Sequence, residues 1–110
     1  MKFLQNGLLG ILRNDNQLDF FDPSTNQIVN SLVNPHAITV NQFEELNDGR
    51  LITCSDDFTL KIWQTNLSFE KMFTFENEVT AAKPLKDEII LIGINSNRII
   101  SLNEKTNEII

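Results

Sequence analysis

Hydrophobic residues along this chain come in short runs separated by Asn, Asp, Gly and Ser. Residues 8–12, 51–54 and 89–94 are the clearest runs. Each is brief, partly β-branched and bounded by turn residues, which predicts strands rather than helices. Leu60-Lys61-Ile62-Trp63 and Leu18-Asp19-Phe20-Phe21 both carry a polar residue in second place. No stretch sustains a helical period, so the chain reads as all-β.

The runs also repeat. Laying Leu60-Lys61-Ile62-Trp63-Gln64 over Leu18-Asp19-Phe20-Phe21-Asp22 takes a shift of 42 residues, which also puts Asp57 on Asp15 and Leu51 on Leu9. Residues 21–29 fall over residues 102–110 at a shift of 81, leaving 39 between the second and third units. That shift of 39 carries Val40 onto Val79 and Phe43 onto Ala82. Three registers agree on a period near forty, and four short strands per period is the pattern of propeller blades. A blade of this size is a small twisted sheet that covers its two faces only against its neighbours.

The middle unit is the most specific. Residues 36–43 read His-Ala-Ile-Thr-Val-Asn-Gln-Phe, and residues 47–63 read Asn-Asp-Gly-Arg-Leu-Ile-Thr-Cys-Ser-Asp-Asp-Phe-Thr-Leu-Lys-Ile-Trp. Over about residues 36–64 this resembles a complete WD repeat. The family pattern has Gly-His, a valine four residues on, an Asp-Gly turn, and Ser-x-Asp-x-Thr ahead of Trp-Asp. Pro35 stands where Gly usually precedes the His, and Gln64 replaces the final Asp.

The resemblance implies an all-β fold of about two and a half four-stranded antiparallel blades of a WD-repeat β-propeller. Residues 1–32 would form a partial degenerate blade, 33–74 the complete one, and 75–110 a degenerate blade and the start of the next. The chain is then expected to be a fragment of a larger closed propeller, its remaining blades supplied by the same longer chain or by other copies.

The resemblance further implies a structural hydrogen-bond network of His36 before the inner strand, Thr53 on the second, Asp57 in the tight turn and Trp63 on the third. The residue types suit this. A buried carboxylate needs donors, an imidazole can give one proton and accept another, and an indole N–H can end the series on a hydroxyl. The rival reading is a hydrolase-type triad, with Thr53 or Cys54 as nucleophile, His36 as base and Asp57 orienting it. Against it, a triad has no use for Trp63, and Cys54 sits within an apolar run where a thiol is inert packing. The flanking units lose the polar set together: Ile11 and Phe21 stand at the Thr53 and Trp63 places, while Phe75, Ser96 and Leu102 stand at those of His36, Asp57 and Trp63. Replacing a whole network by apolar groups can be nearly neutral.

Composition narrows the options. The net charge is −6 and the nine Lys and Arg residues are scattered, which disfavours nucleic acid. Cys54 is the single cysteine and His36 the single histidine. That excludes a disulfide within the chain and falls short of a zinc ligand set, so neither metal nor cofactor is expected. The first residues lack the apolar core of a signal peptide, no run reaches the roughly eighteen apolar residues of a membrane span, and Asn66-Leu67-Ser68 reads as an incidental sequon. The expected setting is cytoplasmic, with the nucleus as alternative, and no membrane partner.

The function expected is a non-catalytic scaffold that presents propeller loops to other proteins. Phe58 is the leading contact residue, with Asp56 and Ile38 on the same face, and the acidic balance favours basic partners.

Overall fold

The computed structural model describes residues 1–86 and 88–110. Its strands are β1 (Lys2–Phe3), β2 (Leu9–Leu12), β3 (Leu18–Asp22), β4 (Gln27–Leu32), β5 (Val40–Glu45), β6 (Leu51–Ser55), β7 (Thr59–Trp63), β8 (Phe69–Thr74), β9 (Val79–Pro84), β10 (Ile89–Ile94), β11 (Arg98–Asn103) and β12 (Glu108–Ile109). They pair in chain order into three four-stranded antiparallel sheets, β1–β4, β5–β8 and β9–β12. The count of about two and a half blades thus resolves as three sheets, of which the first and last each have one strand of only two residues.

The period is written into the pairing. Leu9 lies opposite Phe21, Leu51 opposite Trp63, and Ile90 opposite Leu102, the same register once per sheet. The turns repeat as well. In the first strand-to-strand turn of the first two sheets, the leucine N–H donates to a carbonyl four residues on, Leu4 to Leu8 at 2.8 Å and Leu46 to Arg50 at 2.7 Å. Within each, an Asn or Asp side chain accepts the backbone N–H two residues on, Asn6 from Leu8 and Asp48 from Arg50. This local turn chemistry competes with strand extension and sets the corner. The residue between them, Gly7 or Gly49, has φ of +86° or +91°, a conformation glycine adopts without steric cost.

Sheets stack face to face, with the second sheet in the middle. All five residues of β6 are buried, because both of its faces are covered. Toward the first sheet, Phe43, Leu51 and Trp63 pack on Leu18, Phe20 and Leu32. Toward the third, Ile52, Cys54, Leu60 and Ile62 pack on Val79, Ala82, Ile90, Ile92 and Leu102. The alternation of side chains along β6 and β7 sends odd residues one way and even residues the other. Close approach at the first contact depends on Gly10, where a Cβ would stand 2.8 Å from Phe43 Cε2.

An ion cluster ties the second and third sheets at one end. Arg50 binds Glu104 in two bonds, Nη2 to Oε1 at 2.6 Å and Nη1 to Oε2 at 3.1 Å, and also reaches Glu70 and Asp48 at 2.8 Å each. Glu104 is buried in the β11–β12 turn. Burial pushes its carboxyl up, but the Arg50 bonds and charge outweigh that and hold it below its ordinary value of 4.5.

Candidate functional site

The polar cluster of the middle sheet is assembled from four pieces of chain. His36 comes from the loop between β4 and β5, Thr53 from β6, Asp57 from the β6–β7 turn and Trp63 from β7. His36 Nδ1 lies 2.9 Å from Asp57 Oδ2, and its Nε2 lies 2.6 Å from Thr53 Oγ1. The Trp63 indole N–H donates to the same Thr53 oxygen at 2.9 Å. The series closes in one way for a neutral ring. Nδ1–H donates to Asp57, Nε2 accepts the Thr53 hydroxyl proton, and Trp63 fills a lone pair of that hydroxyl. A doubly protonated ring would leave the Thr53 O–H with no acceptor in the series.

Electrostatics favour the same state. Burial is the largest influence on His36 and lowers its pKa below the ordinary 6.5, against the opposing pull of the Asp57 hydrogen bond and charge. Burial pushes Asp57 up, yet the Thr59 and His36 hydrogen bonds outweigh it and leave the carboxyl below 3.8.

Three further residues complete the cluster, none of them among the four network residues named from the sequence. Thr59 Oγ1 donates to Asp57 Oδ1 at 2.5 Å and lies 3.0 Å from His36 Nδ1. Ser55 Oγ donates to the Thr39 carbonyl at 2.7 Å and accepts the Asp57 N–H at 3.0 Å. Lys61 donates to the Pro35 carbonyl at 2.8 Å and sits 5.9 Å from the centre of the Trp63 ring. Thr59 and Ser55 belong to the Ser-x-Asp-x-Thr pattern, so the signal was present in the spacing. Lys61 had none.

Thr53, His36 and Asp57 have the types and spacings of a triad, but access decides what they can do. Thr53 has 0% exposure, and the indole N–H already occupies its oxygen. No substrate carbonyl can approach that oxygen with the blade intact. Cys54 points to the opposite face of β6, into the core shared with the third sheet, where burial raises its thiol to about 12. It is therefore neither beside His36 nor ionised. A cleft of about 450 Å³ between the first and second sheets is lined by Leu4, Phe20, Leu51 and Leu67 among others, and none of the four network residues reaches it. Among the described residues, no three His, Cys, Asp or Glu side chains are grouped to hold a metal.

The proposed contact residues lie together at the network's end of the sheet. The Asp56 N–H donates to the Thr39 carbonyl at 3.1 Å, which fastens the loop carrying Ile38 to the turn carrying Asp56 and Phe58. Ile38 is exposed, while Asp56 is half-buried and accepts a hydrogen bond from Asn41 at 2.8 Å. Phe58 is 41% exposed and has φ of +73°. The same turn position in the first and third sheets holds Asn16 and Asn97, also at positive φ, and Asn tolerates that region far better than an aromatic residue.

No family model matches the sequence, and no curated protein matches it. Solved structures do. The Cps50 (Swd1) β-propeller domain of Myceliophteria thermophila superposes with a TM-score of 0.80 at 14% identity, over 99% of this chain and 36% of that one. The WD40 β-propeller domain of Doa1 superposes with a TM-score of 0.77 at 23% identity, over 93% of this chain and 35% of that one. The chain has the fold of a WD40 β-propeller. It spans about a third of either solved chain, 36% and 35%, so its three blades form an arc of such a ring. Within that arc, the middle blade alone carries the full His36, Thr53, Asp57 and Trp63 set. In the first blade Ile11 and Phe21 take the places of Thr53 and Trp63, and in the third Phe75 and Leu102 take those of His36 and Trp63.

Proposed function

We propose that this propeller arc is a non-catalytic scaffold that binds partner proteins through the loops at the His36 end of its blades, with Phe58 as the central contact. The observation that carries the reading is the backbone at Phe58. A bulky aromatic held in the left-handed region costs on the order of 1–3 kcal/mol, and such strain concentrates at functional positions. Asn would serve the turn without that cost, as it does in the two neighbouring blades. An exposed aromatic held on a rigid turn loses little entropy when it enters a partner's pocket.

The His36 network supports the same reading as a brace. It fixes the loop and the turn on which Ile38, Asp56 and Phe58 stand, and it is closed to substrates. The acidic balance favours a basic partner surface, chiefly by speeding encounter, and argues against nucleic acid. A reducing compartment such as the cytoplasm suits a chain whose one thiol is packed in the core.

The test is Phe58→Asn. The variant should fold as well as the parent or better, and should lose at least about tenfold in affinity for any protein that the parent retains, a step of about 1.4 kcal/mol. Equal binding by parent and variant would remove Phe58 from the interface. An esterase or peptidase activity abolished by Thr53→Ala in a still-folded chain would overturn the non-catalytic reading.

A further inference from the structure

The cleft between the first and second sheets lies at the end of the blades opposite His36. It is framed by the β1–β2, β5–β6 and β7–β8 turns, whereas His36 and Asp57 stand on the β4–β5 loop and the β6–β7 turn. Its floor is apolar: Leu4, Phe20 and Leu51 are buried core, and Leu8 and Leu67 pack beside them half-buried. Val29 forms part of the rim, as the bulge residue left over where Phe20 faces Asn30 and Phe21 faces Ile28. Leu67 has φ of +69°, in a turn whose counterparts in the first and third sheets hold Asn26 and Asn107 at positive φ. A leucine is strained in that region, and such strain gathers at binding sites.

The same place recurs one repeat on, between the second and third sheets. Leu46, Asp48, Arg50 and Glu104 stand there at the positions of Leu4, Asn6, Leu8 and Thr65. Arg50 and Glu104 reach across that junction and bond at 2.6 and 3.1 Å, leaving a charged recess of about 340 Å³. Leu8 and Thr65 can form no such bond, and the first junction keeps an apolar cleft of about 450 Å³. One carboxylate borders it. Glu45, where the next junction has Pro84, is half-buried and accepts the Gln5 backbone N–H at 3.0 and 3.3 Å. Its neighbour Glu44 takes Lys2, whereas among the described residues no Lys or Arg lies within ion-pair distance of Glu45.

We propose that this cleft binds a short extended segment of a partner protein, seating a leucine- or phenylalanine-sized side chain on Leu8, Phe20, Leu51 and Leu67 and placing a Lys or Arg beside Glu45. The volume lies within the range of about 300–1,000 Å³ typical of pockets that enclose a ligand. An apolar floor with one carboxylate at its edge selects an apolar side chain next to a cation, and the unpaired charge of Glu45 supplies the complementarity. Thr65 and Asn30, both exposed at the mouth, offer a hydroxyl and an amide to the backbone of the segment. Both walls belong to blades already joined to each other, so the site is complete within these two sheets. It does not depend on the role proposed for Phe58.

Fluorescence anisotropy with a panel of short labelled peptides tests it, each peptide carrying one Leu or Phe next to Lys among small polar residues. The best of the panel should bind the purified protein at least about tenfold tighter than its counterpart with Ala in the apolar place. It should bind about fivefold tighter than the counterpart with Glu for Lys. Leu8→Arg/Thr65→Glu rebuilds the ion pair of the second junction. This variant should keep the parent's circular dichroism and lose at least about tenfold in affinity. Glu45→Gln still accepts the Gln5 N–H, and should bind the peptide with no preference for Lys over Glu. Equal binding of the apolar and Ala peptides by the parent overturns the proposal, as does undiminished binding by the folded double variant. A preference for Lys that survives in Glu45→Gln overturns it without reference to the double variant. Dodecanoate bound in the cleft where no peptide binds would assign it to a small apolar ligand and overturn the partner segment.

Discussion

Thr53→Val keeps the shape of a buried strand residue and deletes one hydroxyl. That hydroxyl serves two partners, the Trp63 N–H at 2.9 Å and His36 Nε2 at 2.6 Å, and none of the three residues is exposed. The substitution therefore strands one buried donor and one buried acceptor. Each unsatisfied group costs about 1–3 kcal/mol, so the sum is about 2–6 kcal/mol. Valine fills the space and suits a strand, so cavity formation contributes little. Thr53→Ser, which keeps the hydroxyl and loses a methyl, should cost only about 1 kcal/mol. Urea unfolding of parent and both variants, read at equal slope, gives the difference directly. In thermal melts, the valine variant should fall by at least about 8 °C at roughly 4–8 °C per kcal/mol. A valine variant within about 0.5 kcal/mol of the parent, or no worse than serine, would refute the network as a source of stability.

Other perturbations probe separate parts of the structure. Arg50→Met leaves Glu104 buried without its bidentate partner and should cost about 3–5 kcal/mol, with much of the loss recovered in the Arg50→Met/Glu104→Leu pair. Because the folded Glu104 pKa lies below 4.5, its contribution is complete above that value and fades as pH falls through the folded value. The parent should therefore lose stability across this acid window more steeply than Arg50→Met does, as melts at stepped pH would show. Cys54, with its thiol raised to about 12, should resist alkylation at pH 8 in the folded chain and react fully in denaturant. Gly10→Ala places a Cβ 2.8 Å from Phe43 Cε2 and should cost about 1–3 kcal/mol, with relief from Phe43→Leu in the same chain.

Local patterns were legible in the sequence in proportion to how local they are. The repeat shifts of 42 and 39 rest on strand and turn residues, and the same shifts reappear in the Leu9–Phe21, Leu51–Trp63 and Ile90–Leu102 pairs. The spacing of His36, Thr53, Asp57 and Trp63 was readable because each sits at a fixed place in one blade. Strands β1 and β12, at two residues each, are too short to show any alternation. Contacts between blades left no trace either. Arg50 and Glu104 are 54 residues apart, and nothing in the residues around either one anticipates the other. Gly10 lies inside the apolar run of residues 8–12, and nothing beside it in the sequence anticipates the Phe43 ring packed over it. The strain at Phe58 was equally hidden, since a Phe between Asp57 and Thr59 says nothing about φ until the turn is built.

The central claim is that the His36 cluster is part of the blade's framework and closed to substrate chemistry. His36 is the one histidine in the chain, so histidine-selective nitrogen-15 labelling gives a single imidazole to follow by NMR. A neutral ring with its proton on Nδ1 is expected at pH 7, its midpoint below the ordinary 6.5 and the Trp63 Nε1–H slow to exchange. A ring that titrates near 6.5, with the Trp63 proton exchanging freely, would show the cluster open to solvent and contradict the claim.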